Sequence, residues 1–574
     1  SGSGNETSFA AITLSNNNSF ASTSLAAANQ IIDTPTDDAS SNIGNYITWN
    51  AIGRAGTGNA TLRYGNTNRF ASGLNAGSAH FATFGASTGR YYVELKYDDV
   101  THNNPVGVGP MINLPNSSTG VWIDSAGDTY LDNVRQYNGA SLSNGDILGF
   151  DMDLTNDQVS FYVNNSIRGS AITLANNKPS DGFAYSIFNN DAGGQTDVTI
   201  IADPADWTYS AKGSGVALIT ANLPAPTVKN PSDFFTVKTL VNGGTPNTSF
   251  DTGLSSIGMI MAKRTDGAGG WELFDIARGA TQLLQTDNND QENVKSGNTF
   301  SGGTFNFDTN SNIGQANTSH IVYSFKGGGA AQTIAADSVS SGVPSLASSV
   351  SAASHGGFSV GTFTAESGTM KIGHGLSRKP DFIWVKNRGA TGQWWVFHRS
   401  IGHGKYLVLG SSGNNGEASS TDVWANTDPD ENTFSTNSTW LGTSGNYCFM
   451  ALAKTPGLIG VGSYTGSTNF PYVTLDDGAS GFKPAWLVIK RLGTEFWGVF
   501  DDIGDPFNPV NKYLNLNTNL ARNDGTGGND LDFTANGFKL RSTNAATNTS
   551  SDYVYFAFAE DPFGGSGVAQ AKAR

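Results

Sequence analysis

Gln393-Trp394-Trp395-Val396-Phe397-His398-Arg399, QWWVFHR, sets a histidine behind four large apolar side chains. Two other segments share its form, Trp271-Glu272-Leu273-Phe274-Asp275 and Trp497-Gly498-Val499-Phe500-Asp501, so W-x-[LV]-F-[DH] occurs three times. Alternation along a strand puts Trp394 and Val396 on one face and Trp395 and Phe397 on the other. Both faces are apolar, which predicts a central strand or one covered by a neighbouring subunit. His398 could act as a general base only with a partner carboxylate and a substrate pocket. Asp275 and Asp501 stand at the equivalent places, so a catalytic role would have been exchanged twice within one chain. The structural reading of His398, a polar residue ending a buried strand, is therefore preferred.

Each motif follows, by seven or eight residues, an apolar strand ending in lysine: MIMAK at 259–263, FIWVK at 382–386 and WLVIK at 486–490. KYLVL (405–409) and KYLNL (512–516) match one another downstream, with TQLLQ (281–285) a weaker counterpart. Each copy closes on an apolar strand, HIVYSFK (320–326), YCFMALAK (447–454) or YVYFAFAE (553–560), and opens on FTVKTL (235–240), FSVGTF (358–363) or IGVGSY (459–464). The anchors Trp271, Trp394 and Trp497 lie 123 and 103 residues apart, so each copy is a whole domain rather than a solenoid turn.

Composition points the same way. Only 14% of the 574 residues are charged, against about 25% in an average soluble domain. Gly, Asn, Ser and Thr fill the deficit, residues of turns and exposed strand faces, which predicts an all-β chain of several β-sandwich domains. Net charge is -15, and no basic footprint exists to track phosphates, so no nucleic-acid partner is expected. The lone Cys448 excludes an intrachain disulfide. The longest apolar run, Tyr553 to Ala559, falls far short of the roughly 20 residues a membrane span needs, so no membrane insertion is expected. SGSGNETSFAAITLS at the start lacks the basic and apolar regions of a signal peptide.

The expected organisation is an N-terminal arm (1–40, with a helical possibility at Ser22 to Ile32), a sandwich (41–215), and a Pro/Ala-rich extended spacer (216–232). Three repeat domains follow (233–332, 356–456 and 457–565), the first two separated by a flexible or partly helical low-complexity linker (333–355), and a short tail (566–574) ends the chain.

Candidate chemistry is sparse. His374 and His403 lie near His398 in Gly-His-Gly settings; a three-histidine metal site is conceivable, and turns are the preferred reading. Acidic loops recur at 287–293, 428–432 and 523–532. Asp428, Asp430 and Asn432 alternate as in a calcium loop, although no glycine follows and no glutamate closes the pattern, so a solvated turn competes with Ca2+. No nucleophile elbow, P-loop or dinucleotide fingerprint appears, and no enzyme activity is expected.

GRYYVELKYDD (89–99) followed by NGDILGFDMDLTNDQVSFYVNNSIRG (144–169) resembles the SPRY (B30.2-like) domain: Gly145, Asp146, Gly149, Phe150, Asp153, Val159, Phe161, Tyr162 and Asn164 match its hallmark. Asn165 stands where that family usually has glycine. The lead-in DTPTDDASSNIGNYITWNAI and the later KPAWLVIKR, NGFKLRS and YVYFAFAEDPF resemble tail-fibre and other virion proteins of bacteriophages, notably marine ones, in which tandem domains follow a SPRY-like module. That resemblance implies an elongated virion component at the particle surface, in contact with other virion proteins and with a host-surface glycan or protein, and by analogy a homotrimer. It implies Trp122, Asp124, Tyr130 and Tyr137 as an exposed contact surface on the SPRY-like loops. A purely structural decoration protein and a glycan-depolymerising spike are the alternatives.

Overall fold

The computed structural model describes residues 12–13, 19–20 and 45–568, apart from 56–59, 64–65, 72–78, 100–104, 111–119, 175–184, 191–195, 246, 309–311, 339–342 and 469. Most of the expected arm and tail, including the possible helix at Ser22 to Ile32, lies outside the described residues. Among the described residues the only α-helix has four residues, Ser438–Leu441, and none is long and apolar enough to cross a membrane. The all-β expectation holds.

The N-terminal sandwich pairs a seven-stranded antiparallel sheet with a larger one built on Arg90–Asp99, which lies between Ile147–Asp153 and Thr196–Ile201. Alternate residues face inward, so Val93, Leu95 and Tyr97 meet Val106, Val108 and Ile187 in one core. The Gly-Asp turn is held by its own side chains: Asp146 Oδ2 accepts from Ser143 N at 2.8 Å, and Asp146 Oδ1 accepts from Asn164 Nδ2 at 2.7 Å. Asn164 and Asn165 both have positive φ, 47° and 70°, the two-residue hairpin turn whose twist suits the strands. Asn165 thus takes the left-handed conformation that glycine supplies in the resembling family.

The three repeats share one design. Each main sheet runs opening strand, closing strand, lysine strand, tryptophan strand and KYL-type strand: Phe235–Val241, Ser319–Phe325, Met259–Arg264, Glu272–Asp275 and Gly279–Leu284 in the first. The same order holds for Phe358–Thr364, Asn446–Leu452, Phe382–Asn387, Trp394–His398 and Lys405–Leu409, and for Ile459–Thr465, Asp552–Pro562, Phe482–Arg491, Trp497–Asp501 and Leu514–Asn515. Register repeats too: the motif phenylalanine faces the residue three before the lysine, as Ile260↔Phe274, Ile383↔Phe397 and Leu487↔Phe500.

A small two- or three-stranded sheet covers the Phe274, Phe397 or Phe500 face of each main sheet, giving three local cores. The opposite faces meet one another. Trp271, Leu273, Trp394, Val396, Trp497 and Val499 belong to a single cluster drawn from all three copies. The repeats are therefore closed around one axis rather than strung out, and the neighbour that covers each tryptophan strand is another repeat of the same chain. That departs from an elongated row of domains, and the physical reason is the second apolar face, which no repeat can bury alone.

Each strand-ending lysine is wholly buried, and carbonyls cap its ammonium. Lys263 Nζ donates to Gly269 O; Lys386 Nζ donates to Asn387 O at 2.9 Å and to Asn289 O of the first repeat at 3.2 Å; Lys490 Nζ donates to Gly493 O and Glu495 O. The repeated lysine is thus the plug of its hairpin turn.

Both expected linkers carry structure. Within 216–232, Val216–Ala217 pairs in parallel with Tyr91 and Tyr92, Leu223 joins the sandwich core, and Val228 joins the shared repeat core. Pro fixes the chain in extended form, yet that form packs here instead of spacing the domains. From the far end of the chain, Phe563 meets Phe84 edge-on at 5.5 Å and Gly565 N donates to Thr220 O at 2.9 Å, so the sandwich is clamped to the third repeat. Within 333–355, Ser348–Ala352 is a strand between Gln332–Ile334 and Phe358–Thr364, not a flexible or helical insertion. Its Ser/Ala/Val alternation suits a strand whose Val350 and Ala352 pack on Gly375 and whose Ser348 Oγ donates to Gly373 O at 2.8 Å.

Candidate functional site

Around the shared axis the tryptophans form a ring of hydrogen bonds between repeats. Trp271 Nε1 donates to Asn515 O at 2.9 Å, Trp394 Nε1 to Asn288 O at 3.0 Å and Trp497 Nε1 to Val408 O at 3.0 Å. The first repeat thus donates to the third, the second to the first and the third to the second, which closes the ring. Gly410 (φ +81°) sits where a Cβ would strike Asn288 and Asn289 of the first repeat, so only glycine admits that approach.

The residues that end the motif also serve these junctions. His398 is fully buried; Nδ1 accepts from Ser400 N at 3.2 Å, and Nε2 lies 3.2 Å from Tyr555 O of the third repeat. With Nδ1 accepting, Nε2 carries the proton that binds this carbonyl. Asp501 accepts from Arg522 at 2.8 Å and from Tyr323 Oη of the first repeat at 2.9 Å. Asp275 holds the buried Arg278, which also reaches Glu292 at 3.0 Å, and Glu292 is met from the second repeat by Arg388 at 2.9 Å.

On the SPRY-like sandwich the expected surface is only partly assembled. Trp122 stacks on Tyr130 with centroids 5.7 Å apart and is buried with Phe81 and Phe188. Asp124 is buried as well; its Oδ1 accepts from Asp128 N at 3.0 Å, and burial raises its carboxyl above the usual range. Tyr130 is half-buried, and Tyr137, 37% exposed, lies over Gly169. Trp122 and Asp124 are therefore not an exposed contact surface. The outer face of a three-residue strand between two partners is roofed by its own neighbours, which the alternation of one short strand cannot reveal.

Asp428, Asp430 and Asn432 do not converge on a common point. Asp428 Oδ1 lies 2.8 Å from His403 Nδ1, while the Asp430 carboxylate is taken up by Asn432 N at 2.8 Å and by Thr433 N at 2.6 Å and Oγ1 at 3.1 Å. His374 binds Asp430 O and Leu376 N, away from His398. Among the described residues no group of three or more His, Cys, Asp or Glu could hold a metal ion. The loop is a turn tied by its own aspartate. Asp430→Ala should cost about 1–3 kcal/mol in denaturant unfolding, and added calcium should leave the melting temperature unmoved; a calcium-dependent rise would restore the metal reading.

One depression sits where the repeats meet, and a second lies beside it. A pit of about 440 Å³ takes Asp287 and Asn288 from the first repeat, Ser411 and Asn414 from the second, and Phe496, Asn517, Thr518 and Asn519 from the third. Beside it a cleft of about 630 Å³ lies within the third repeat, and Phe496 lines both. Phe496 is 39% and Leu520 56% exposed, so apolar surface faces solvent here. Arg522, held by Asp501, forms part of the wall, and its Nε has no partner. The 523–532 loop, one of the recurring acidic loops, closes one side: Asn523 Oδ1 accepts from Gly525 N at 2.9 Å, and Asn544 Nδ2 donates to Gly527 O at 2.7 Å. Sequence reasoning missed this cleft because its lining spans residues 495 to 546, separate loops brought together only by the sandwich.

The family described as "Domain of unknown function (DUF7483)" matches residues 230–562. No curated protein matches the chain. Similar solved structures include the SPRY domain of human HERC1, at 14% identity over 27% of this chain and 98% of that one, with a TM-score of 0.24. The TRIM65 PSpry domain is 13% identical over 28% of this chain and 93% of that one, TM-score 0.23, and stonustoxin 16% identical over 27% of each, TM-score 0.21. Scores of this size carry no argument, and the SPRY-like reading of 41–215 rests on its own turn and hairpin residues.

Proposed function

We propose that this chain, which belongs to the DUF7483 family through residues 230–562, is a structural protein of a bacteriophage particle, a fibre or appendage that adheres to the host cell surface. The observation that supports this most is the closed three-repeat body: three copies of one sandwich share a core and bring loops from all three to a common junction. A rigid β scaffold carrying exposed loops suits recognition. The acidic charge suits a surface component that must stay soluble. Adhesion would come from many weak tethered contacts rather than one tight site. Because the tryptophan strands are covered within one chain, a homotrimer would form through other surfaces, and light scattering of the purified protein measures it.

The test joins two measurements. Purified protein should bind host bacteria saturably without shortening their extracted polysaccharide, and mass spectrometry should find the chain in purified particles. Shortened polysaccharide would favour the depolymerase, presence in particles without cell binding the decoration role, and absence from both would end the virion reading.

A further inference from the structure

The cleft in the third repeat carries more chemistry than a surface dent needs. Its walls combine two exposed-edge aromatics, Phe496 and Tyr513, with Leu520, the carboxylates of Glu495 and Asp524, and side-chain amides. Tyr513 is positioned rather than loose: its ring lies 5.8 Å from that of Phe500, and Asn523 N donates to its backbone carbonyl at 2.9 Å. The loop amides are likewise set by their own bonds. Asn523 spends its oxygen on Gly525 and Gly527, and Asn529, 2% exposed, spends its oxygen on Thr547 at 3.3 Å. Both residues line the cleft, and among the described residues neither amide N–H2 has a hydrogen-bond partner.

From this we propose that the cleft binds a neutral oligosaccharide. A pyranose offers an apolar C–H face and a rim of hydroxyls that each donate and accept. An aromatic ring suits the face. Amide donors and carboxylate acceptors suit the rim, since a site built to hydrogen-bond hydroxyls rejects ligands that leave those groups unpaired. Charge selects further. Asp501 already neutralises Arg522, while among the described residues neither Glu495 nor Asp524 forms a salt bridge, although the buried Lys490, which is not part of the lining, senses the Glu495 charge; the lining is therefore net negative and disfavours uronate-bearing or phosphorylated chains. Its volume, about 630 Å³, falls in the usual range for small-ligand sites and takes a few sugar rings. The inference rests on the adhesion reading and adds to it the place and class of ligand.

The probes are tetrasaccharides of neutral hexoses and N-acetylhexosamines, with uronate-bearing tetrasaccharides beside them, titrated calorimetrically into the full chain. Neutral sugars should bind and uronates should not, and Phe496→Ala and Asn523→Asp, which keeps the oxygen that accepts from Gly525 and Gly527 but removes the N–H2, should each weaken binding about tenfold or more with the melting temperature unchanged. Phe496 is partly exposed, so the first of these variants should fold normally. Wild-type protein and both variants are also tested on host cells. Sugar binding untouched by the variants overturns the site while leaving adhesion standing. Cell binding without sugar binding, or a preference for uronates or peptides, overturns the ligand class only. Loss of cell binding by the wild type itself overturns the adhesion reading and this inference together.

Discussion

Replacing Trp497 with alanine should cost about 3–5 kcal/mol, the range for deleting a buried large aromatic. The upper half is expected, because the indole is 1% exposed, packs among residues of all three repeats and satisfies Val408 O across a repeat boundary. Trp497→Phe separates the two parts: most of the packing stays, the N–H donor goes, and the loss should be about 1–2 kcal/mol. Denaturant unfolding measures both. The shared core also sets the form of the transition. Residues 233–565 should unfold together, and Trp497→Ala should move that single step rather than detach one repeat. Three separable transitions, or a loss below 1 kcal/mol, would contradict a common core.

Stability should rise with pH between about 7.5 and 9, against the habit of most folded proteins. Burial pulls Lys263 and Lys386 down to about 8 and Lys490 to about 7. In the unfolded chain the same lysines hold their protons to about 10.4. Unfolding in this window therefore takes up protons. For a base with a depressed folded value, the stabilising contribution is complete above the unfolded value and is lost as pH falls through the folded one. The buried thiol of Cys448, pushed up to about 12, works in the opposite sense, one proton against three. A net of roughly two protons corresponds to about 2–3 kcal/mol per pH unit near pH 8.5. Above about 10 the buried tyrosines, whose hydroxyls burial also raises, reverse the trend. Denaturant midpoints across the window give the slope, and Lys386→Met should flatten it by about a third. A level or falling profile in the wild type would mean that the lysines keep their protons in the folded state through this window.

How much of this could be read in advance depended on where the relevant neighbours lie along the chain. The repeated W-x-[LV]-F unit, its lysine strand and its closing strand were legible because strand alternation and short-range order write themselves into consecutive residues. The Gly145-Asp146 turn and the Asn164-Asn165 hairpin were legible for the same reason: positive φ selects a few residue types at fixed offsets. Trp122 was misjudged as exposed because its cover comes from Phe81 and Phe188, at distances along the chain that no local pattern spans. The Ser348–Ala352 strand was hidden by a composition that tolerates either a loose linker or a sheet edge, with pairing alone deciding.

By itself, then, the sequence determined an all-β chain, three copies of one sandwich, and two apolar faces on each tryptophan strand, since these follow from alternation and turn chemistry within a few residues. Only the tertiary structure decided what covers the second face. The partner of each copy is another copy, reached across 89, 106 or 244 residues, and the closed ring of Trp271, Trp394 and Trp497 arises from packing three such faces together, a cooperative choice that no single strand encodes.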